Sequence, residues 1–280
     1  MSQASPSFDL VVATVGRAAE LGRFLDSVAA QEYPHVRAIV VDQNDDDRLD
    51  TIVAGRQLSI TRIRATLGLS RARNAALGLL TADVVAFPDD DCVYPPGLLA
   101  RVAGRLEHVD GVTGRAADDR GRSAPSWEAG TAILTDDNLW NRAISFSIFL
   151  RRGVVEVVGD FDEELGLGSG RPWSSGEEID YLVRALRSGA RIEYDPSLVV
   201  VHDVRDDDAA IGARDGASVG YLLRKHRYPP RVVARMLVRP LGGAAVSLVR
   251  RDGEARHYQV ATLRGRIRGY RGAKRSKSSA

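Results

Sequence analysis

The stretch that decides the fold is VVAFPDDD, residues 84–91. Its short apolar run, followed by one proline and three aspartates, predicts a buried strand that brings carboxylates to the edge of a sheet. Three adjacent carboxylates repel one another. Mg²⁺ and Mn²⁺ prefer oxygen ligands, and Mg²⁺ commonly combines one or two carboxylates with substrate phosphates. The stretch therefore indicates a metal–diphosphate site, with a solvated acidic turn as the alternative.

The chain before and including this stretch alternates strand-like and helix-like segments. The predicted strands are residues 9–13, 36–42, 59–64 and 84–87, and the predicted helices are residues 19–30 and 70–80. Ser70 is the expected N-cap of the second helix. This alternation predicts an α/β domain whose first strands are parallel. Ligands of such sheets bind outside the carboxyl ends of the strands, so Asp42 and Asp89 should share one crevice.

The pattern continues beyond a less regular middle. The predicted helices are residues 151–157 and 179–188, and the predicted strands are residues 191–194 and 198–201. Asp206, Asp207 and Asp208 mark an expected seam, after which the character of the sequence changes. We expect Pro230 to begin a helix and residues 274–280 to be disordered.

The composition is that of an ordinary globular protein. The chain has 280 residues, of which 44% are hydrophobic and 27% charged. The single cysteine, Cys92, excludes an internal disulfide and fits a reducing compartment. Residues 1–7 do not resemble a signal peptide, and no apolar run reaches the roughly 18 residues that cross a membrane. A cytoplasmic protein is therefore expected.

The charge is distributed unevenly. From Arg214 onward there are 17 Lys and Arg against 3 Asp and Glu, a net charge of +14, whereas the remainder has 22 against 34, a net charge of −12. Arginines interleaved with apolar residues favour helices that lie on an anionic membrane, and a helical appendage packed on the rest of the protein is the alternative. Nucleic-acid binding is not expected, because no recognition motif or aromatic platform accompanies the charge.

Several motifs occur in a characteristic order. They are VVATVGR (11–17), IVVDQN (39–44), LGLSRARNAA (67–76), VAFPDDD (85–91), GDFDEE (159–164), SGEEIDYL (175–182) and VVVH (199–202). Together they closely resemble the family-two inverting nucleotide-sugar glycosyltransferases with the GT-A fold. The resemblance covers about residues 8–203 and is specific because the order is kept, although each motif alone is weak.

The resemblance implies a fold and a division of the chain. It implies a GT-A catalytic domain over residues 1–205, with a mostly parallel central sheet flanked by helices. The nucleotide-binding half would be residues 8–92 and the acceptor half residues 93–205. Residues 206–280 would form a basic, mainly helical C-terminal region with a disordered end.

The resemblance also implies which residues bind the donor nucleotide. Thr14, Gly16 and Arg17 would border the nucleotide, and Asp42 would accept a hydrogen bond from the base. A carboxylate accepts well from the N–H edge of uracil or guanine. Arg73 would lie near the base or the aspartates. The alternatives are a capping or loop acid for Asp42 and a surface charge for Arg73.

The aspartate run and one histidine form the expected metal site. By resemblance, Asp89 contacts the ribose, Asp91 ligates a Mn²⁺ or Mg²⁺ ion that holds the diphosphate, and Asp90 assists. His202 follows an apolar strand and is a candidate second ligand, with a structural role as the alternative.

Residues 176–180, GEEID, are similar to the family's Gly-Glu-Asp-x-Asp motif, whose second acid is usually the general base. That acid is Glu178 here, one methylene longer than aspartate, which still serves if the acceptor hydroxyl is within reach. Glu177 would bind acceptor or favour the helix start. Asp180 is expected to be structural. Trp173 would form a platform for an acceptor sugar or close its loop.

Five residues are set aside. We expect Cys92 to be a packing residue, and His35, His108, His226 and His257 to lie on the surface.

The resemblance thus implies a metal-dependent inverting glycosyltransferase. The single cysteine and the lack of a signal peptide predict a cytoplasmic location, and the basic C-terminal region predicts peripheral association with the inner face of the cell membrane. Its donor would be a nucleoside-diphosphate sugar, and its acceptor a sugar, a lipid-linked molecule or a small molecule. The product would enter a polysaccharide, glycolipid or glycoconjugate of the cell envelope. The alternatives are a nucleotidyltransferase and an inactive nucleotide-sugar-binding module. The oligomeric state stays open.

Overall fold

The computed structural model describes residues 5–124, 127–203 and 208–273. The predicted disordered end, residues 274–280, and Asp206 and Asp207 of the predicted seam lie outside these ranges. The chain forms two compact units, Met1–Phe161 with Tyr181–Val204 and Asp162–Asp180 with Arg205–Ala280. The predicted domain boundary near residue 205 stays a prediction.

The first unit is built on an eight-stranded sheet. Its strands are β1 (Phe8–Thr14), β2 (Val36–Asp42), β3 (Ser59–Arg64), β4 (Val84–Ala86), β5 (Gly111–Ala117), β6 (Ala132–Ile133), β7 (Ile148–Arg151) and β8 (Ile192–Val201). They lie in the order β3-β2-β1-β4-β7-β5-β8-β6. The strands β1 to β4 pair in parallel, as predicted. The strand β7 runs antiparallel to both of its neighbours, so the sheet is mixed.

Among the described residues, five α-helices lie in the first unit, and a sixth spans residues of both units. They are α1 (Ala18–Ala29), α2 (Asp50–Val53), α3 (Leu69–Leu77), α4 (Leu98–Arg105), α5 (Arg152–Val158) and the shared α6 (Glu177–Arg187). The predicted helices are confirmed, with ends that differ by one to three residues. In α1 the buried residues Leu21, Phe24, Leu25 and Val28 recur at helical spacing, which gives the helix one apolar face toward the core.

The predicted N-cap of α3 is wrong. Ser70 lies inside the first turn, and the N-cap is Gly68, whose φ is 128°. A residue with a Cβ rarely adopts this φ, so glycine rather than a capping hydroxyl sets the start of the helix.

The predicted strands at 191–194 and 198–201 form one strand, β8. The register of β8 on β5 shifts between Thr113 and Arg115, so Pro196 lies opposite the irregularity rather than in the ladder. Proline cannot donate to a ladder, and a bulge accommodates it within a continuous strand. The two strands predicted from the sequence are therefore one continuous strand with an irregular centre.

An ion pair with a buried carboxylate lies at the start of the sheet. The carboxylate of Asp9, which is 1% exposed, accepts hydrogen bonds from Nε and Nη2 of Arg37 at 2.8 and 2.7 Å. It also accepts from the backbone N–H of Thr81 and Ala82 at 2.8 and 3.0 Å. Burial alone would raise the pKa of Asp9, but these hydrogen bonds outweigh it and lower the pKa.

Replacing Asp9 by alanine should lower the free energy of unfolding by about 3–5 kcal/mol, because the half-buried guanidinium of Arg37 and the backbone N–H groups of Thr81 and Ala82 all lose the buried carboxylate that they share. Chemical denaturation measures this loss. The control is Asp26→Ala, since Asp26 pairs with Arg56 but is largely exposed; its cost should stay below about 1 kcal/mol. The folded pKa of Asp9 is depressed, so its contribution is present at neutral pH and disappears as the pH falls. Equal losses in the two variants would contradict the prediction.

The second unit contains three long helices, α7 (Ala209–Lys225), α8 (Pro230–Val249) and α9 (Gly253–Gly272). The start of α8 at Pro230 is as predicted. Glycines let α7 and α9 approach closely: a Cβ at Gly216 would overlap the backbone oxygen of Thr262, and one at Gly269 would overlap that of Ala217. The basic segment from Arg264 to the end of α9 therefore belongs to a helix that packs against α7.

Candidate active site

The structure brings Asp89, Asp91 and His202 together in the first unit. One ligand atom from each lies within 4.8 Å of the others. Asp89 follows β4 and pairs with Ala13 of β1, and His202 follows β8. Backbone hydrogen bonds of 2.8 and 3.0 Å between Val93 and Val201 hold the segment after Asp91 beside the end of β8. Sheet pairing therefore determines the positions of Asp89, Asp91 and His202 relative to one another.

The ring of His202 is fixed on three sides. Its Nδ1 lies 2.7 Å from the carbonyl oxygen of Asp203, and its Nε2 lies 3.1 Å from Oδ1 of Asp91. The ring stacks on Phe146 with centroids 4.7 Å apart. Because Nδ1–H donates to a carbonyl, Nε2 is the atom turned toward the carboxylates.

The contact between Asp91 and His202 shifts both groups. The hydrogen bond from His202 lowers the pKa of Asp91 to about 2, against the effect of burial. Burial alone would lower the pKa of His202, but the neighbouring carboxylate raises it. Both groups are thus stabilised in their charged forms when they face one another.

The donor set can hold a divalent ion. Two carboxylates and one imidazole supply oxygen and nitrogen ligands, a combination that suits Mn²⁺ better than an all-oxygen site would, while Mg²⁺ favours oxygen. The sequence had put Asp89 at the ribose, and the structure brings it into the cluster with Asp91 and His202.

Arg17 lies at the same acidic cluster. Its Nη1 is 3.2 Å from Oδ1 of Asp90 and 2.5 Å from Oδ2 of Asp91. Burial raises the pKa of Asp90 to about 6, although the guanidinium lowers it. Arg17 therefore supplies positive charge where the loop after β1 meets the aspartates.

Arg73 and Ser145 both contact Asp89. Arg73 is 1% exposed, its Nη2 lies 3.4 Å from Oδ1 of Asp89, and its guanidinium lies over the rings of Phe161 and Phe87 at 5.4 and 5.9 Å. The hydroxyl of Ser145 lies 3.2 and 3.3 Å from the two oxygens of Asp89. Sequence reasoning missed Ser145, because it lies in the irregular middle without a motif.

Asp42 is fully buried and accepts four hydrogen bonds from neighbouring residues. Its Oδ1 accepts from N and Nδ2 of Asn44 at 2.9 and 2.7 Å, and its Oδ2 from Nε and Nη2 of Arg62 at 3.0 and 2.6 Å. These bonds outweigh burial and lower the pKa of Asp42. Asn44 also accepts from Gly16 N–H at 2.7 Å, and Thr14 lies opposite Asp42 in the sheet register. Sequence reasoning missed Asn44 and Arg62, although Asn44 lies within a quoted motif.

Glu177 and Glu178 occupy the first turn of α6, in the second unit. Glu177 is buried and Glu178 is half-buried. Gly176, with a φ of 81°, precedes them and makes a turn that other residues rarely adopt. The negative side chains also suit the positive end of the helix dipole.

Asp180 is buried in a network within the same unit. Its Oδ1 lies 2.8 Å from Nε2 of His226 and 2.5 Å from Nζ of Lys225, and Lys225 also reaches Asp162 at 2.7 Å. The prediction that His226 lies on the surface is wrong, because it is 8% exposed and bound to Asp180. This network fixes the start of α6 against α7.

Trp173 stacks on Tyr221 of α7, with ring centroids 4.7 Å apart and an angle of 15° between the planes. The hydroxyl of Tyr221 lies 3.2 Å from Oε2 of Glu164. A Cβ at Gly272 would meet the indole ring. The indole thus packs within the second unit, which favours its role in closing the loop.

The remaining residues that the sequence analysis set aside lie where it expected them. Cys92 is buried, as expected of a packing residue. His35, His108 and His257 are exposed.

A family comparison identifies the chain. The family model described as glycosyl transferase family 2 matches residues 9–155, just over half of the sequence. The chain belongs to glycosyl transferase family 2. The matched range contains Asp42, Asp89 and Asp91, and ends before Glu178 and His202.

Two curated relatives resemble this family-2 glycosyltransferase. An uncharacterized glycosyltransferase of Nostoc is 28% identical over 171 residues, 55% of this chain and 53% of that protein. The pre-mycofactocin glycosyltransferase of Mycobacterium tuberculosis is 26% identical over 186 residues, 61% of this chain and 38% of that protein. The aligned part of the chain therefore spans about half or less of the length of these relatives.

The fold is that of known glycosyltransferase structures. The mannosyltransferase PcManGT from Pyrobaculum calidifontis, in complex with GDP-Man and Mn²⁺, is 17% identical with a TM-score of 0.67. The match covers 95% of this chain and 87% of that one. The predicted GT-A fold is confirmed, and membership of the family favours glycosyl transfer over the nucleotidyl transfer that the sequence left as an alternative.

Proposed function

We propose that this family-2 glycosyltransferase moves one sugar from a nucleoside-diphosphate donor to an acceptor hydroxyl in a metal-dependent, inverting reaction. The observation that carries the proposal is the convergence of Asp89, Asp91 and His202 at the carboxyl ends of β4 and β8. Ligands of α/β sheets bind at that edge. The GDP-Man and Mn²⁺ bound to PcManGT support a nucleotide sugar and a divalent ion as the pair to test.

Residues of the first unit would hold the donor. Asp91 and His202, with Asp89 beside them, would hold Mn²⁺ or Mg²⁺, which when bound neutralises the leaving diphosphate. Arg17 would add a positive charge for the phosphates, and Asp90 would keep Arg17 in place. Each of these side chains thus serves to position the diphosphate.

The base of the nucleotide would lie at Asp42, beside Thr14 and Gly16, with Arg73 supporting the aspartates. Both oxygens of Asp42 already accept two hydrogen bonds each, the full capacity of a carboxylate. A base that bonds to Asp42 must therefore replace a bond from Asn44 or Arg62. The energetic cost of this exchange favours a base whose N–H edge makes equally good bonds.

Glu178 would act on the acceptor. As general base it would take the proton of the acceptor hydroxyl, while the oxygen attacks the anomeric carbon opposite the leaving diphosphate. One displacement of this kind inverts the anomeric centre. Glu177 and Trp173 would help to hold the acceptor, which we propose is a sugar, a lipid-linked molecule or a small molecule in envelope glycoconjugate synthesis.

A donor panel tests the proposal. UDP-, GDP- and dTDP-sugars are added with Mn²⁺, and the unfolding temperature and the release of nucleoside diphosphate are measured. We expect one base to raise the unfolding temperature by mass action, and only with the metal present. Binding without turnover on any acceptor would favour the inactive binding module. If every donor raised the unfolding temperature in EDTA as much as it does with Mn²⁺, the metal-dependent site would be contradicted.

A further inference from the structure

The helix α8 exposes an apolar stripe. Val238, Leu241 and Leu248 are 59%, 52% and 61% exposed, and they recur at helical spacing on the same face as the exposed Ala234 and Ala245. Residues at these spacings share one helix face. Folded proteins rarely leave such a continuous apolar face in water without a partner.

The same helix is strongly basic. Residues 230–251 contain five arginines and no acid. Arg231, Arg235 and Arg239 recur every four residues and are exposed along one flank of the apolar stripe, and Arg250 and Arg251 follow the C-terminus of the helix. Apolar residues flanked by arginines form the pattern of a helix that lies in a membrane interface.

The helix α8 is long and apolar enough to cross a membrane by length and composition, with a mean hydropathy of 1.5. The sequence expectation concerned unbroken apolar runs, and Arg235 and Arg239 interrupt the run in the window of residues 232–249. However, one face of α8 packs in the second unit, burying Val232, Val233 and Met236. A helix that is partly covered by protein suits a position along the surface better than a span.

We propose that α8 docks this protein on an anionic lipid bilayer, with its apolar stripe among the acyl chains and its arginines at the phosphates. Charge complementarity selects this partner, because arginines gain from an anionic surface. A second copy of the chain would instead place five arginines against five. Nucleic acid would leave the apolar stripe in water, and α8 has no aromatic residue for stacking. The proposal goes beyond glycosyl transfer and does not depend on the metal or base assignments.

Sedimentation of the full chain with vesicles tests the electrostatic part. We expect binding to vesicles that contain phosphatidylglycerol, weak binding to pure phosphatidylcholine, and loss of binding as salt rises. Changing Arg231, Arg239 and Arg250 together to glutamine should weaken binding roughly 100-fold, from about five-fold for each charge. The matched control changes the exposed Arg23, Arg101 and Arg120 of the first unit to glutamine and should bind like the wild type.

A fluorescent label tests insertion of the stripe. The only native cysteine, Cys92, is buried, so an environment-sensitive dye will attach mainly at Leu241→Cys. We expect a blue shift on adding anionic vesicles, and none for the control Val157→Cys, which is 70% exposed on α5. Changing Val238, Leu241 and Leu248 to glutamine should weaken binding at least about ten-fold.

Three results would overturn the proposal: no binding of the wild type to anionic vesicles, binding of the two α8 triple variants equal to that of the wild type, or no blue shift at position 241. Binding to neutral vesicles that resists high salt would also reject it, in favour of a spanning helix. Donor binding by each variant is measured separately, without lipid. A variant that binds donor but not vesicles has lost docking alone, so the two proposals can fail independently.

Discussion

Changing Glu178 to glutamine is expected to lower the turnover of sugar transfer by about 10²–10⁴-fold, the usual cost of losing a general base. Glutamine keeps the size and the hydrogen-bonding reach of the side chain, but its amide cannot take up the proton of the acceptor hydroxyl. Donor affinity, measured by calorimetry, should change little because the substitution leaves the aspartates and Arg17 intact. The loss should therefore appear in kcat and not in the binding of the donor.

The matched control is Glu177→Gln, the adjacent acid in the same first turn of α6. We expect it to lower activity less, and thermal unfolding of both variants shows whether either effect comes from misfolding. The opposite outcome, wild-type turnover in Glu178→Gln and a large loss in Glu177→Gln, would move the general base by one residue. Loss of donor binding in Glu178→Gln would mean that this side chain acts on the donor.

Changing Asp91 to alanine is expected to weaken metal-dependent binding of a nucleoside diphosphate by at least about 100-fold. Loss of an outer-shell partner typically costs 10–100-fold in metal affinity, and loss of a ligand should cost more. Without a cation between them, the diphosphate and the remaining carboxylates repel each other. Calorimetry with Mn²⁺ and with excess EDTA measures the effect, and the wild type in EDTA should resemble the variant.

Asp119→Ala serves as the control, since it removes an exposed carboxylate from the same unit and should bind like the wild type. Equally tight binding by the wild type with Mn²⁺ and with EDTA would refute the metal assignment. If the wild type needed the metal but Asp91→Ala still bound as tightly as the wild type, Asp89 and His202 would be sufficient for the ion, and the assignment of Asp91 would be wrong.

The sequence by itself determined the parallel start of the sheet and the family. The β-rich segments 36–42 and 84–87 predicted buried strands, which put Asp42 and the aspartates 89–91 at the carboxyl ends of those strands. The order of the motifs was enough to identify the fold. These properties follow from local periodicity and residue type, which can be read without knowing which segments pack together.

Only the tertiary structure decided which side chains meet. His202 reaches Asp91 across 111 residues because β8 pairs with the segment after the aspartates, and His226 is buried because α7 brings it to Asp180. The motif at 199–202 marked His202 as a candidate ligand, but no local pattern distinguished His226 from an exposed histidine. The sequence likewise predicted a basic, mainly helical C-terminal region, but only the structure shows that α7 and α9 pack through glycine contacts and that the apolar stripe of α8 is exposed. Burial and pairing depend on contacts between distant segments, and one-dimensional periodicity does not contain them.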